Sequence, residues 1–360
     1  MNREENKLRD AISRAKELGL DLEKGGGVVL NEFFAYKKIA KRLEQLGVIY
    51  MEIHEAEKEH PDIFEKFAFK RIQGDLRRVD SGIFLYVPKG TVVEEPIFNC
   101  FVLGRGGVIQ KVYNLTVVDD GASAVGVSGC FTLVNEAVHS SLEEIHVMRN
   151  AKFTKIMLHN WLPGINVSAF TAAEIEDNGV YQDLYINYSE AKSISFNTAI
   201  HQDGNNSASR IDQIVAGSGE SSLSYSTEVF LNGSGSSSQM ISRLLARNRS
   251  KIRSKARIFA SGKMVKGHIE CRGITLDEGS EVISIPELNS RSSDAELTHE
   301  ASIGKIKREE LEYLETKGFS EDEAISLLIR GFLETGFSEL PRTMKGAVDS
   351  ILERISKAKG

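Results

Sequence analysis

The chain has 360 residues, enough for one large domain or two ordinary ones, and its formal net charge is −6. This acidic balance argues against a protein whose main task is to coat nucleic acid, because such domains are usually strongly basic. Residues 1–10 are charged and polar, and no stretch approaches the roughly 18 apolar residues that a membrane span needs. We therefore expect a cytoplasmic protein with neither a signal peptide nor a membrane partner.

Two helices are predicted near the N-terminus. Residues 4–18 place apolar side chains at helical spacing and end at Gly19, which suits the position just after a helix. A second helix is expected from Asn31, a fair N-cap, to Leu46. The three glycines at 25–27 predict a flexible joint between the two helices.

From about residue 82 to 297, short runs rich in Val, Ile, Phe and Tyr alternate with small-residue turns, which predicts strands such as 83–87, 97–103, 108–118 and 180–188. Similar turns recur around Gly121, Gly179, Gly219 and Gly279, and their spacings of 58, 40 and 60 residues are close to multiples of about twenty. Such a repeat suits a stacked β-solenoid. A β-sandwich explains the strands nearly as well, so the pattern alone leaves both folds open.

Helical periodicity returns after Ser302. A capping box at residues 320–323 begins one helix, and Pro341, a favoured first-turn residue, begins another. The first of these helices carries an apolar stripe. The stripe consists of Ile325, Leu328, Ile329, Phe332 and Leu333.

Several segments, in one order along the chain, resemble the SufB/SufD family of iron–sulfur cluster assembly scaffolds. The C-terminal ones are Cys271 in a strand, a proline-containing turn at 285–287, a His-Glu-Ala segment within 298–306 and the helix at 325–334. Upstream ones lie at 82–90, 120–123, 129–130 and 160–164. The presence of Cys271 resembles the SufB type, in a short form, and the match covers roughly residues 80–345.

The resemblance implies a mainly β fold. It implies a right-handed parallel β-helix core, expected at 81–300, and a C-terminal helical domain at 301–360. The region at 1–80 does not match the family, and the two helices predicted above make it an N-terminal helical region. The resemblance also implies a scaffold that assembles and transfers iron–sulfur clusters with a SufC-like ABC ATPase, which docks on the apolar stripe of the C-terminal helices.

ATP hydrolysis is expected to come from that partner. No Gly-x-x-x-x-Gly-Lys-Ser/Thr loop occurs in the chain, so we expect a scaffold subunit and not an enzyme. The sulfur donor protein and any need for reduced flavin stay open. A SufD-type partner subunit is the alternative within the family.

The three cysteines limit the kinds of metal site that the chain can form. Cys100, Cys130 and Cys271 are widely and irregularly spaced, which fits neither a disulfide framework nor a zinc motif with paired ligands. One chain also lacks the set of thiolates that an all-cysteine cluster site uses. A metal site must therefore mix ligand types or borrow from a second chain.

Cys271, His299 and Glu300 are the predicted cluster and metal ligands. Arg272 beside Cys271 is expected to lower the pKa of the thiol, and thiolate is the form that binds iron. His299 follows Cys271 by 28 residues (299−271), so both could face one side of adjacent coils. Thiolate, imidazole and carboxylate together would suit a transient cluster. The alternative is that Cys271 is a core residue and Glu300 favours a helix start.

Two further features were assigned from the sequence. Cys130, after Gly129, resembles the family cysteine that receives sulfur, with a buried structural thiol as the alternative, and Cys100 is expected in the core. A cation at every second position from Arg247 to Arg257 predicts a strand with one basic face. Without interleaved aromatic residues, we expect that face to be a solvated outer surface.

The remaining predictions concern a second chain and a different function. One chain offers too few ligands, so we expect a homodimer whose solenoids pair near residues 268–300. A β-helix carbohydrate enzyme with Asp177, Asp183 and Asp203 as carboxylates is the enzyme alternative, and only a shared fold supports it.

Overall fold

A computed structural model of the protein describes residues 3–39, 41–337 and 340–357. The chain is mainly β and forms a parallel β-solenoid of about 8 turns, with helices at both ends. The solenoid alternative is therefore confirmed over the β-sandwich.

The elements follow in chain order. They are α1 (Arg3–Glu17), β1 (Gly26–Leu30), β2 (Phe33–Lys38), α2 (Lys41–Gln45), β3 (Ile49–Glu52), α3 (Ile53–Glu59), α4 (Pro61–Phe67), a 3-10 turn (Leu76–Arg78), β4 (Ile83–Val87), β5 (Ile97–Leu103), β6 (Ile109–Val118), β7 (Ser123–Thr132), β8 (Ala137–Val147), β9 (Lys152–Asn160), β10 (Ile165–Ile175), β11 (Val180–Asn187), β12 (Ser193–Gln202), β13 (Ala208–Gly217), β14 (Ser222–Leu231), β15 (Ser237–Ala246), β16 (Lys251–Ala260), β17 (Lys266–Thr275), β18 (Glu281–Ser290), β19 (Glu296–Gly304), α5 (Arg308–Thr316), α6 (Glu321–Leu333) and α7 (Arg342–Lys357).

Each turn of the solenoid contributes one strand to each of two sheets. The first sheet has the order β19-β17-β15-β13-β11-β9-β7-β5-β1-β2, and the second has β18-β16-β14-β12-β10-β8-β6-β4-β3. Ser195 pairs with Ser224, and Ser224 with Arg253, so one turn takes 29 residues (224−195 and 253−224). The predicted repeat of about twenty residues is therefore wrong, because the glycines that suggested it lie at different corners of the turns.

The strands form because their side chains alternate between the solenoid interior and its outside. On β12, Ile194 and Phe196 belong to the interior core, whereas Ser195 and Asn197, which follow each of them, are exposed. This period of two is what the sequence pattern in the strand region predicts.

Helices cover the outer face of the first sheet. Residues of α1, α6 and α7 pack in one apolar cluster with outward-facing residues of β7, β9, β11 and β15. Ala15 of α1 and Ile329 of α6 are completely buried there, as is Cys100 of β5, in agreement with the core position expected for this cysteine. A smaller cluster seats α3 and α4 on the N-terminal end of the second sheet.

The N-terminal region differs from the prediction in two places. The helix expected from Asn31 to Leu46 is wrong, because β1 and β2 form an antiparallel hairpin there, followed by the short α2. The predicted joint at the glycines is also a strand, which pairs in parallel with β5. A Cβ added at Gly26 would lie 2.0 Å from the carbonyl oxygen of Phe98, so this close approach needs glycine.

Other local predictions are confirmed. α1 covers the first predicted helix, and α7 begins directly after Pro341. The capping box is present, since Ser320 accepts from the Glu323 backbone N–H while the Glu323 carboxylate accepts from that of Ser320.

Candidate functional site

Cys271 and His299 share one face of the last two strands of the first sheet. Ile269 pairs with His299 and Cys271 with Ala301, and paired residues of parallel strands point to the same side. Cys271 and Ile269 belong to the interior core, so His299 also lies on the interior side. The predicted placement of the thiol and the imidazole on one side of adjacent coils therefore agrees with the register.

Glu300 lies on the opposite face of β19. It pairs with Glu270, an outward-facing residue whose Oε1 forms ion pairs with Arg243 at 2.9 Å and with Arg272 at 2.8 Å. Because neighbouring residues of a strand alternate, Glu300 cannot point where His299 points. One chain thus brings together Cys271 and His299 but leaves Glu300 outside.

The environment of the Cys271 thiol differs from the prediction. Arg272 points outward, is half exposed and pairs with Glu270, so it does not activate the thiol. Burial raises the pKa of Cys271, and this outweighs the opposing effects of the Ser284 and Ser242 hydroxyls and of Arg243. The expected lowering of the pKa by Arg272 is therefore wrong.

The C-terminal end of the solenoid is open. β18 and β19 are the edge strands of the two sheets, and no further turn covers them among the described residues. His299 is exposed, whereas Cys271, one turn below, is only 1% exposed. The predicted turn at 285–287 is wrong, because Pro286 lies in the middle of β18, an edge strand where proline is tolerated. The unpaired edges can accept strands of another chain.

The side chains that could bind a metal are too few at any one place in the described chain. Within residues 3–39, 41–337 and 340–357, no group of three or more His, Cys, Asp or Glu side chains is placed to hold a metal ion. Cys271 and His299 of one chain are therefore fewer than the ligands that a metal site uses.

Cys130 lies deep in the solenoid. It faces inward from β7, with its Sγ 3.7 Å from the Sδ of Met157, and it pairs in register with His159. Burial raises the pKa of the Cys130 thiol, Cys100 and Glu143 raise it further, and Lys155 acts in the opposite direction.

A row of interior positions leads to Cys271 from Ser128, which lies two residues before Cys130 on β7. Successive register pairs run from Ser128 to Cys271 through one residue of each intervening strand of the first sheet. The row consists of Ser128, Met157, Tyr185, Gln213, Ser242 and Cys271. Sequence reasoning missed it, although a polar residue such as Gln213 at an inward position of an apolar strand is a readable signal.

The apolar stripe of α6 packs within the chain. Ile329 and Leu333 are fully buried, and Ile325 and Phe332 pack against the same cluster. Leu328 is half-buried. A partner would therefore meet the residues beside the stripe and not the stripe itself.

An open groove of about 1000 Å³ lies between α6, α7 and the solenoid. Leu327, which is 47% exposed, and Phe319, which is 41% exposed, line it, and Tyr313 on α5 is also exposed. These are among the exposed large apolar residues of the described chain, and such patches commonly mark interaction surfaces.

The basic side chains from Arg247 to Arg257 do not all lie on one face. Lys251, Arg253, Lys255 and Arg257 alternate along β16 on the outer face, as expected, although Arg257 pairs with Glu228. Arg247 instead is buried, and its Nη2 donates to the carbonyl oxygen of Ile355 in the last turn of α7 at 2.5 Å. One end of the predicted basic face therefore anchors a helix.

The three carboxylates of the enzyme alternative are dispersed. Asp177 lies in a turn, where it accepts from the Asn205 backbone N–H, and Asp203 pairs with Arg71 outside the second sheet. Asp183 is buried inside the solenoid. They do not converge on one surface.

The architecture and the site define a class: a parallel β-solenoid with helical ends that carries a thiol and an imidazole at its open end. The family model described as "SUF system FeS cluster assembly, SufBD core domain" matches residues 101–332. The chain therefore belongs to the SufBD family of the SUF iron–sulfur cluster assembly system.

Curated relatives agree over most of the chain. A protein of Archaeoglobus fulgidus named "Iron-sulfur cluster assembly SufBD family protein" is 32% identical over 94% of both chains. A protein of the same family name from Methanothermobacter thermautotrophicus is 31% identical over 79% of this chain and 69% of its own. One from Pyrococcus horikoshii is 27% identical over 93% of this chain and 76% of its own.

The helices also test the expectation that no segment of the chain spans a membrane. None of those described has both the length and the apolar character that crossing a membrane would require.

Proposed function

We propose that this chain is a SufB-type scaffold that assembles iron–sulfur clusters and passes them on, in the cytoplasm and together with a SufC-like ABC ATPase. The observation that carries the proposal is the juxtaposition of Cys271 and His299 on one interior face at the open end of the solenoid. A soft thiolate with a weaker imidazole ligand suits a cluster that must be released.

A homodimer would complete the ligand set. Two copies paired through the edges of β18 and β19 would bring two thiols and two imidazoles near a two-fold axis. Glu300, on the outer face, could then contribute only to a site reached around the edge of the strand. A Cys271-to-Cys271 crosslink that depends on the ATPase and ATP supports this assembly, whereas a monomer in solution contradicts it.

Sulfur entry through Cys130 is part of the same proposal. The interior row from Ser128 to Cys271 offers hydroxyl, amide and thioether groups, and Cys130 touches that row through Met157. Small sulfur species could follow these polar groups to Cys271, because buried polar groups lower the cost of an anion in the interior.

Cluster binding is tested by anaerobic purification and reconstitution with iron and sulfide. Cys271→Ser should abolish the visible sulfur-to-iron absorbance, since it removes the only strongly iron-affine ligand of the pair. His299→Ala should weaken the cluster less, and Glu300→Ala least. The matched control is Cys100→Ser, which removes a buried thiol outside the interior. Unchanged iron and sulfide content in Cys271→Ser would overturn the proposal.

Docking of the ATPase is proposed at the groove beside α6. Deletion of residues 307–360 should abolish co-purification with the SufC-like ATPase. Leu327→Ala should weaken binding without changing stability, whereas Ile329→Ala should lower stability by about 2–5 kcal/mol because its side chain is buried. Binding that survives both the deletion and Leu327→Ala would place the ATPase elsewhere.

A further inference from the structure

The Ser284 hydroxyl is a buried polar group without a partner. Ser284 lies on β18, and its Oγ is shielded from solvent and forms no hydrogen bond with the described residues. Such a hydroxyl costs free energy in the folded state, because it has given up its hydrogen bonds to water and gained none in return. A buried unsatisfied group in a native structure therefore requires an explanation, such as a ligand that completes its hydrogen bonding.

Ser284 faces the interior of the solenoid. It pairs in register with Ser254 on β16, and Ser254 pairs with Tyr225 on β14. Tyr225 belongs to the interior core, and paired residues of parallel strands point to the same side. Val282, two positions before Ser284 on the same strand, also belongs to that core. Ser284 therefore lies in the last coil, on the inner face of the second sheet.

The Cys271 thiol lies opposite Ser284 across this interior. A Cβ added at Gly273 would lie 2.9 Å from Cγ1 of Val282, so these two positions of β17 and β18 face each other. The two strands run in opposite directions, because the chain must return along the second sheet before it enters the first again in parallel. Cys271, two residues back along β17, and Ser284, two residues further along β18, are therefore the next pair of facing positions.

The thiol and the hydroxyl both lie near the open end of the solenoid. The register neighbour of Cys271 on β19 is Ala301, so only a methyl group lies above the thiol on the first sheet. β18 is the last strand of the second sheet among the described residues, so no further strand lies above Ser284. Burial raises the pKa of the Cys271 thiol and the Ser284 hydroxyl opposes this, which agrees with a position beside the sulfur. A group bound to the Cys271 sulfur would therefore meet the Ser284 hydroxyl.

We propose that Ser284 is a positioning residue for the cluster that Cys271 binds, and that its hydroxyl donates a hydrogen bond to sulfur at that site. The inference deepens the proposed scaffold function and rests on it. Sulfur that carries negative charge is the acceptor that the unpartnered hydroxyl lacks, and a hydrogen bond to a charged group is stronger than one between neutral groups.

Such a hydrogen bond has two measurable consequences. Hydrogen bonds to the sulfurs are among the factors that set the reduction potential of a cluster, and they raise it because they stabilise the more negative, reduced state. A residue that supports a metal ligand in this way also lengthens the lifetime of the bound metal. Ser284 should therefore affect both the potential and the release of the cluster without binding iron itself.

The first test uses the unloaded chain, and its readout is thermal stability. Ser284→Ala removes a hydroxyl that has no partner, so the temperature midpoint of unfolding should rise. Ser221→Ala is the matched control, because Ser221 Oγ is also buried without a partner among the described residues but lies just before β14. The two variants should shift the midpoint in the same direction. A midpoint lowered by Ser284→Ala alone would show that the hydroxyl has a structural role and would overturn the proposal.

The second test uses the full chain reconstituted anaerobically with iron and sulfide. Ser284→Ala should still form the cluster, because Cys271 and His299 are unchanged, but it should release iron to a chelator about tenfold faster than wild type. Its cluster should be reduced at a lower potential, and the iron–sulfur stretching bands in the resonance Raman spectrum should shift. Ser284→Thr keeps the hydroxyl and should behave as wild type in all three measurements.

The outcomes separate this inference from the scaffold function. Ser221→Ala should match wild type in the loaded state. A wild-type release rate, potential and Raman spectrum in Ser284→Ala would overturn the inference and leave the scaffold function intact, as would equal changes in Ser221→Ala. The absence of a cluster in wild type would instead overturn the scaffold function, and this inference with it.

Discussion

The middle and the end of the solenoid hold similar thiols in different surroundings. Cys130 and Cys271 both face the interior and are both buried, and burial raises the pKa of each. Cys130 is surrounded by complete turns and by the charges of Lys155 and Glu143, whereas Cys271 has the Ser242 and Ser284 hydroxyls and lies under a single open turn. Complete turns therefore enclose the Cys130 thiol, whereas an open last turn suits exchange at Cys271.

The largest change in the free energy of unfolding should come from removing the charge of Lys155 in the middle of the solenoid. Lys155→Met leaves two buried carboxylates without their cation and should lower the free energy of unfolding by about 3–5 kcal/mol. His299→Ala at the open end should change it by less than about 0.5 kcal/mol, since the residue is exposed. Urea unfolding measures both. Equal effects of the two substitutions would remove the distinction between the regions.

An acid-dependent loss of stability should also belong to the middle. Burial lowers the pKa of His139 to about 4 and lowers that of His159 as well. Below its ordinary pKa the unfolded state binds a proton that the folded state does not, so stability falls as the pH drops from about 6.5 to about 4. His139 alone should account for about 3 kcal/mol over this window.

The measurement for this prediction is unfolding free energy against pH. His139→Gln should reduce the slope of unfolding free energy against pH between about pH 4 and about pH 6.5. The slope at higher pH should stay the same. An unchanged slope in the variant would assign the acid sensitivity to other groups.

Hydrogen exchange should separate the two regions in the unmodified protein. The backbone of β19 has one unpaired edge and exposed side chains, so its amides that point away from β17 should open at a cost within about 2 kcal/mol of zero. Amides of β9 and β11, paired on both sides, should open only near the global free energy of unfolding. Uniform protection along the solenoid would contradict an exchangeable last turn. Addition of the ATPase and ATP would sharpen the test by raising exchange in β18 and β19 alone.

Much of the architecture follows from local patterns in the sequence. Alternation in the strands and the capping box at Ser320 are short-range features, and these predictions are confirmed. The hairpin of β1 and β2 was missed because Asn31, with φ of 55°, makes a turn where an N-cap was expected. The length of one coil was also missed. Each 29-residue coil has two strands joined at corners, and the glycines that suggested a repeat of about twenty residues lie at different corners.

The site was only partly predictable for a related reason. The spacing of Cys271 and His299 predicted that both face one side of adjacent coils, and the register agrees, but strand alternation sends Glu300 to the other face. The prediction that Arg272 lowers the pKa of the Cys271 thiol was wrong for the same reason, because the Arg272 side chain points outward. Lys155 pairs in register with Asp183 of the next coil, and Glu143 reaches it from the other sheet. Long-range pairing of this kind leaves no local signal.

The central claim is that Cys271 holds the cluster while Cys130 receives sulfur upstream of it. The most direct test compares Cys130→Ser with Cys271→Ser in anaerobic reconstitution, once with free sulfide and once with inorganic polysulfide as the limiting sulfur source. Cys271→Ser should fail with either source, whereas Cys130→Ser should form the cluster with free sulfide and lose most of it with polysulfide. Cluster formation by Cys271→Ser, or identical behaviour of Cys130→Ser with both sources, would contradict this division of roles.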